Sequence, residues 1–152
     1  MGVSRIDPSV LGHLLAEHRD LHARLLDLRA EFGQPRRPGA AGLESLRGRL
    51  RSLREHLAGH FAQEESGGHL EESIARIPRL SHAARAVVAE HPRLLAELDA
   101  LLERLAVRDI PDASWTASAG AFATFTEHLL DHERNENDVL QQGYNEDFGL
   151  PD

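Results

Sequence analysis

Apolar side chains recur along most of the chain at the three-to-four-residue spacing of amphipathic α-helices, and no stretch keeps the alternation of a β-strand. Clusters of glycine and proline separate these stretches, as in GQPRRPGAAG. The pattern predicts four helices, at about residues 8–32, 43–65, 80–107 and 114–142. Long helices joined by short connections predict an all-α fold, an up-down antiparallel four-helix bundle that forms a single domain over residues 1–152.

Local signals place the ends of these helices. Asp7-Pro8 reads as an N-cap followed by proline at the first helical position, and Ser114 is a candidate N-cap for the fourth helix. The tail QGYNEDFGLPD is expected to be irregular. Pro92 lies inside the third helix, where it removes a backbone donor. The apolar pattern stays in phase across it, so we expect a kink there, with a helix start at Pro92 as the alternative.

Six polar residues interrupt the apolar stripes at positions that face the bundle core. His18 fills one slot in a stripe of leucines, and similar interruptions occur in the other three helices. With a rise of about 1.5 Å per residue, antiparallel hairpins bring all six to about one height. The six are His18, His60, Glu64, His91, His132 and Glu136.

The two halves of the chain resemble each other. LAEHRDLHARLLDL around His18 is similar to VAEHPRLLAELDAL around His91, and EHLAGHFAQEE is similar to EHLLDHERNEN, at offsets of 73 and 72 residues. Each half therefore reads as one helical hairpin, with a histidine on its first helix and an HxxxE motif on its second. The bundle is expected to have an internal pseudo-twofold symmetry.

Composition narrows the function classes. The net charge of −8 argues against a nucleic-acid partner and against a membrane surface. The absence of cysteine excludes disulfides, thiolate ligands and cysteine nucleophiles. No apolar run has transmembrane length, so a cytoplasmic protein is the expectation. Ten histidines in 152 residues are the unusual feature.

Metal binding would explain the polar layer. Burying two carboxylates without compensation costs several kcal/mol each, and four imidazoles add unmet hydrogen bonds. A pair of divalent ions removes that penalty, because imidazole and carboxylate are natural ligands of such ions. A histidine and a glutamate one turn apart project the same way, so each HxxxE motif can bind one ion through its histidine and bridge to the second through its glutamate. Mixed imidazole and carboxylate ligation without sulfur suits iron best, with zinc or manganese as substitutes.

These motifs resemble those of hemerythrin-like, HHE-type cation-binding proteins over roughly residues 8–142. The resemblance rests on EH at 17–18, HFAQEE at 60–65, EH at 90–91 and HLLDHERNE at 128–136. It implies a four-helix bundle around two iron ions with a bridging oxo or hydroxo group. It also implies ligand roles for the same six residues that the stripes single out.

The sequence departs from the pattern of the oxygen-carrying hemerythrins. Those carriers have HxxxH on the third helix and HxxxxD on the fourth, whereas Val87 and Leu95 flank His91 here and Asn137 stands five residues after His132. An H-HxxxE-H-HxxxE arrangement leaves an open position on both irons, which suits peroxide and redox turnover better than oxygen storage. A similar subgroup is associated with peroxide breakdown. We therefore expect catalase-like chemistry on peroxide or reactive oxygen.

Other polar residues adjoin the predicted site. His56 and His128 lie one turn before the HxxxE histidines, where a hydrogen bond behind the ligands, a proton relay or a retained flank residue are all open interpretations. His22 and Tyr144 are further candidates for a place near the site. Glu17, Glu65 and Glu90 adjoin ligands without facing inward, so surface positions are expected, with a hydrogen bond to a ligand imidazole as the alternative.

Two other function classes stay open. One is a module that binds or senses dioxygen or nitric oxide, or stores iron, without turnover. The other is a metal-free bundle with histidine–glutamate pairs in its core, which does not explain six polar residues in two matched copies. The expected partners are small molecules, namely peroxide, dioxygen or nitric oxide, and the chain is expected to be a monomer or a weak homodimer.

Overall fold

The computed structural model describes residues 8–66, 70 and 77–147, and all the regular structure in these residues is helical. The long helices confirm the predicted four-helix bundle, with the third column of the bundle divided in two. The elements are α1 (Pro8–Phe32), α2 (Ala40–Glu65), a 3₁₀ turn (Pro78–Leu80), α3 (Ser81–Ala89), α4 (His91–Leu105) and α5 (Asp112–Asp147). None of the described helices is long and apolar enough to cross a membrane.

The helices form a closed square. Helix α1 packs on α2 and α5, and α4 packs on the same two helices from the opposite corner. Helix α3 precedes α4 in the same column and packs on α5. Each hairpin of the duplicated sequence, α1–α2 and α4–α5, therefore faces the other across the core.

The third column is not the continuous kinked helix that the sequence predicted. Helix α3 ends at Ala89, Glu90 forms a one-residue turn, and α4 begins at His91 with Pro92 in its first turn. Proline needs no donor there, because the first turn of a helix leaves its N–H groups without intrahelical partners. Glu90 keeps right-handed helical dihedrals of φ −77° and ψ −21°. The break is therefore small, and His91 stays on the core side.

The last helix is longer than predicted at both ends. It begins at Asp112, where the carbonyl of Pro111 accepts the first helical hydrogen bond from Trp115 N–H, so Ser114 is not the cap. It ends at Asp147 rather than near residue 142. The expected irregular tail is therefore helical as far as Asp147, and Gly143 within it costs only about 1 kcal/mol relative to alanine.

The core has apolar material on both sides of a polar layer. The larger apolar cluster fills one end of the bundle and includes Leu50, Leu98 and Phe125. A smaller cluster, which includes Val87 and Val139, lies at the other end. Between them along α5 come His132 and Glu136, and the same order holds at His91 in the third column. This arrangement keeps the polar layer away from water along the bundle axis.

Candidate metal centre

The six polar residues predicted to face the core are all buried. Their exposed fractions range from 1 % for His132 and Glu136 to 6 % for His60. They come from all four columns of the bundle: His18 from α1, His60 and Glu64 from α2, His91 from α4, and His132 and Glu136 from α5.

The side chains divide into two groups, each of which could hold a metal ion. One group joins His18, His60 and Glu136, and the other joins Glu64, His91 and His132; within each group, one ligand atom from every residue lies within 4.8 Å of the others. Each group takes its two histidines from one hairpin and its carboxylate from the other. Each hairpin thus contributes two histidines to one group and one glutamate to the other group.

Both carboxylates lie between the two groups. Glu64 Oε1 is 2.5 Å from His60 Nε2, and its Oε2 is 3.0 Å from His91 Nε2. Glu136 Oε2 is 3.8 Å from His18 Nε2 and 3.7 Å from His132 Nε2. A carboxylate with imidazoles of both groups this close has the placement needed to bridge two ions.

The inward-facing atoms of the site have no hydrogen-bond partner among the described residues. These atoms are the Nε2 atoms of the four histidines and both carboxylate oxygens of Glu64 and Glu136. Glu64 lies within 3.0 Å of both His60 Nε2 and His91 Nε2, yet neither contact is a hydrogen bond. Each unsatisfied buried polar atom costs about 1–3 kcal/mol, so a set this size calls for a ligand. Nitrogen and oxygen donors at this spacing fit a pair of metal ions.

Three glutamates form hydrogen bonds with histidine rings at Nδ1, the nitrogen that faces away from the centre. The Nδ1 atoms of three histidines lie at hydrogen-bond distance from carboxylates, at 2.5 Å for His60 and Glu17, 2.9 Å for His91 and Glu65, and 3.0 Å for His132 and Glu90. When a carboxylate accepts a hydrogen bond from Nδ1–H, the free lone pair of the neutral imidazole is on Nε2. The metal-binding atom of each of these rings therefore faces the centre. The alternative, a hydrogen bond to a ligand imidazole, therefore holds for all three glutamates; Glu65 is nonetheless exposed as expected, whereas Glu17 and Glu90 are half-buried.

The comparison with protein families identifies the family of the chain. The profile of the hemerythrin HHE cation binding domain matches residues 9–144, a range that contains all six residues. The chain belongs to this family. Neither the comparison with curated proteins nor the comparison with solved structures gave a match.

Burial and mutual charge set the protonation of this hemerythrin-like centre in the absence of metal. Burial, together with a positive charge on His60, lowers the pKa of His18 to about 4. Burial and the charge of Glu64 raise the pKa of Glu136 to about 10. Burial also opposes a charge on Glu64, but the contacts with His60 and His91 outweigh it and lower the pKa of Glu64. At neutral pH, one carboxylate is therefore charged and the other protonated, so metal binding must release a proton from Glu136.

Glu133 is a buried residue of the hemerythrin-like bundle that the sequence reasoning missed. It is 4 % exposed, and its Oε2 lies 2.5 Å from His22 Nε2. His22, a candidate for a place near the site, therefore pairs with a carboxylate next to a predicted ligand, His132, rather than with a ligand itself. The internal duplication held the signal for Glu133, because it occupies the position of Phe61 in the other half.

The remaining candidates lie outside the ligand set. His56 Nε2 is 3.4 Å from Asp20 Oδ2, and His128 Nδ1 is 2.7 Å from Glu97 Oε1. Neither contact involves one of the six residues; the contact of His128 with Glu97 is a hydrogen bond between α5 and α4, whereas His56 Nε2 forms none. The side chain of Tyr144 lies outside the described part of the chain.

Proposed function

We propose that the six residues hold two iron ions joined by an oxo or hydroxo bridge, and that the centre breaks down hydrogen peroxide. The observation that supports this most is the set of unpartnered Nε2 and carboxylate oxygen atoms that lie in two groups with both carboxylates between them. The chain has no cysteine, so the donors are nitrogen and oxygen only. Such a set suits iron, with manganese or zinc as substitutes, of which zinc has no redox chemistry of its own.

The protein residues supply binding, orientation and exclusion of water. Glu17, Glu65 and Glu90 hold three imidazole rings with Nε2 inward. Apolar clusters on both sides keep water from the ends of the layer, which strengthens electrostatic interactions inside. When bound, a pair of irons supplies two-electron redox chemistry. One peroxide is reduced to two waters while a second is oxidised to dioxygen, so the reaction needs no external electron donor.

The test measures metal, spectrum and turnover on the purified protein. Elemental analysis is expected to find two irons per chain, and near-ultraviolet absorption is expected to show oxo-bridge bands. Added peroxide should release dioxygen at an oxygen electrode. His91→Ala should abolish this release, whereas His82→Ala, which changes an exposed histidine on α3, should leave it unchanged.

Three outcomes would contradict the proposal. A colourless protein that binds no iron would leave the bundle without its redox centre. An iron-loaded protein that evolves no dioxygen but binds dioxygen or nitric oxide reversibly would instead be a binding or sensing module. Iron taken up and released without either property would indicate storage.

A further inference from the structure

A cavity of about 360 Å³ opens between α1 and α5 and reaches the polar layer. Its inner wall includes His18 and Glu133, both 4 % exposed, and Asn137. Leu15, which is 44 % exposed, lines it further out. A predicted metal ligand therefore forms part of the wall of a cavity at the side of the bundle.

The inner wall carries hydrogen-bond acceptors that have no partner among the described residues. Glu133 Oε2 forms a hydrogen bond with His22, but Glu133 Oε1 is buried and has no hydrogen-bond partner. The Oδ1 atom of Asn137 is likewise unpartnered. Arg19 also lines the cavity, but it is exposed, so the buried part of the wall is dominated by acceptors. Such a wall favours a small molecule that donates hydrogen bonds and disfavours an anion.

The internal duplication relates this cavity to a place between α2 and the third column, beside His91, and that place is filled. At the offset of 72 residues, Glu133 corresponds to Phe61, whose ring stacks on His91 with centroids 3.8 Å apart. At the offset of 73, Leu15 corresponds to Val88, which packs against the smaller apolar cluster.

Two more pairs follow the same pattern. His22 corresponds to Leu95, which packs against the larger apolar cluster. Asn137 corresponds to Glu65, which is bonded to His91 Nδ1. The positions that line the polar cavity beside His18 are thus occupied, beside His91, by side chains that are either apolar or hydrogen-bonded. The pseudo-twofold symmetry is broken at the place where the two halves could differ in access.

We propose that the cavity between α1 and α5 is the entrance to the centre and leads to the His18 side. In the cavity, Glu133 Oε1 accepts a hydrogen bond from the O–H group of a small hydroperoxide. The identity of the ligand rests on the proposed peroxide chemistry. The entrance rests on the cavity and on the broken symmetry alone.

The entrance is tested with nitric oxide, a small neutral probe, mixed with the reduced iron-loaded protein and followed by absorbance. Leu15→Trp places a large ring at the exposed side of the cavity, and Glu133→Phe copies the closure made by Phe61. Both variants should slow association about tenfold or more, within the range by which association rates vary among variants of one binding site. The matched control is Leu26→Trp, which adds the same bulk at another exposed leucine of α1. Its rate should match that of the parent.

Equal rates for Leu15→Trp, Glu133→Phe and the parent would overturn the entrance, as would equal slowing by Leu26→Trp. Iron content and circular dichroism of each variant show that the centre and the fold are intact. If the protein evolves no dioxygen from peroxide while these rates respond as expected, the entrance stands and the proposed function fails. If the protein does evolve dioxygen from peroxide but the nitric oxide association rates do not change in these variants, the proposed function stands and the entrance fails.

The role of Glu133 is tested by Glu133→Leu, which removes the acceptor without adding bulk. The KM for hydrogen peroxide should rise by about tenfold, the effect of losing roughly one hydrogen bond to a buried group. The rate of nitric oxide association should stay near that of the parent, because nitric oxide donates no hydrogen bond. A KM unchanged from the parent would refute the hydrogen bond from substrate to Glu133.

Discussion

The protonated state of Glu136 makes a prediction of unusual sign. A buried carboxylate that waits for a metal should destabilise the metal-free bundle, and its neutral isostere should stabilise it. The pKa of Glu136 is raised to about 10 from an ordinary value of 4.5. The folded protein therefore holds this proton at pH 7, whereas the unfolded chain releases it.

The magnitude follows from proton linkage. The contribution of Glu136 to stability is complete below the unfolded pKa of 4.5 and is lost as the pH rises from there towards 10. At pH 7 the loss spans about 2.5 pH units, which corresponds to about 3 kcal/mol of unfolding free energy. Glu136→Gln keeps the shape of the protonated side chain and cannot ionise. The metal-free variant should therefore be more stable than the metal-free parent by about 3 kcal/mol at pH 7 and nearly equal to it at pH 4.5.

The assay is urea unfolding followed by circular dichroism, with a chelator present, at pH 4.5 and pH 7. Glu127→Gln, which changes an exposed carboxylate of the same helix, serves as the control and should show no difference of this kind. With metal added, the order at pH 7 should reverse, because glutamine is a poorer ligand than carboxylate. A metal-free Glu136→Gln protein less stable than the parent at both pH values would refute the reasoning.

Three further predictions concern the ligand supports, the metal and the core. Glu17→Gln and Glu90→Gln should each weaken metal affinity by about 10–100-fold in competition with a chromogenic chelator, and Glu65→Gln should weaken it less, because its side chain is 47 % exposed. Zinc at about 100 times its dissociation constant should raise the unfolding free energy by about 2.7 kcal/mol, and His60→Ala should remove that gain. Leu98→Ala should cost about 2–5 kcal/mol in urea unfolding without changing the metal-to-protein ratio found by elemental analysis.

The sequence predicted the polar layer well because helical periodicity fixes which side of a helix a residue occupies. His18 and His91 interrupt apolar stripes, and the structure buries both. Periodicity does not say how far a long side chain can reach. Glu17 and Glu90 lie beside the stripes, yet their carboxylates extend far enough to meet imidazoles on the neighbouring helices. Sidedness on the helix was therefore a poor guide to these glutamates.

Two other features escaped the sequence for different reasons. The turn at Glu90 depends on where Pro92 falls relative to a helix start, and the apolar pattern is the same for a kink and for a break. Glu133 follows a predicted ligand directly and was not among the candidate site residues. Only the comparison of the two halves, which sets it against Phe61, marks its position as an inward one.

The exchange of ligands between the hairpins has a consequence for how the protein opens. Neither half of the chain supplies a complete set of metal-binding residues, because each pair of histidines is grouped with a glutamate from the other half. Bound ions therefore act as cross-links between the halves, and disorder in either hairpin would release both positions together. The metal-loaded bundle should open as one cooperative unit, with metal exchange limited by the rate at which the whole helical assembly separates.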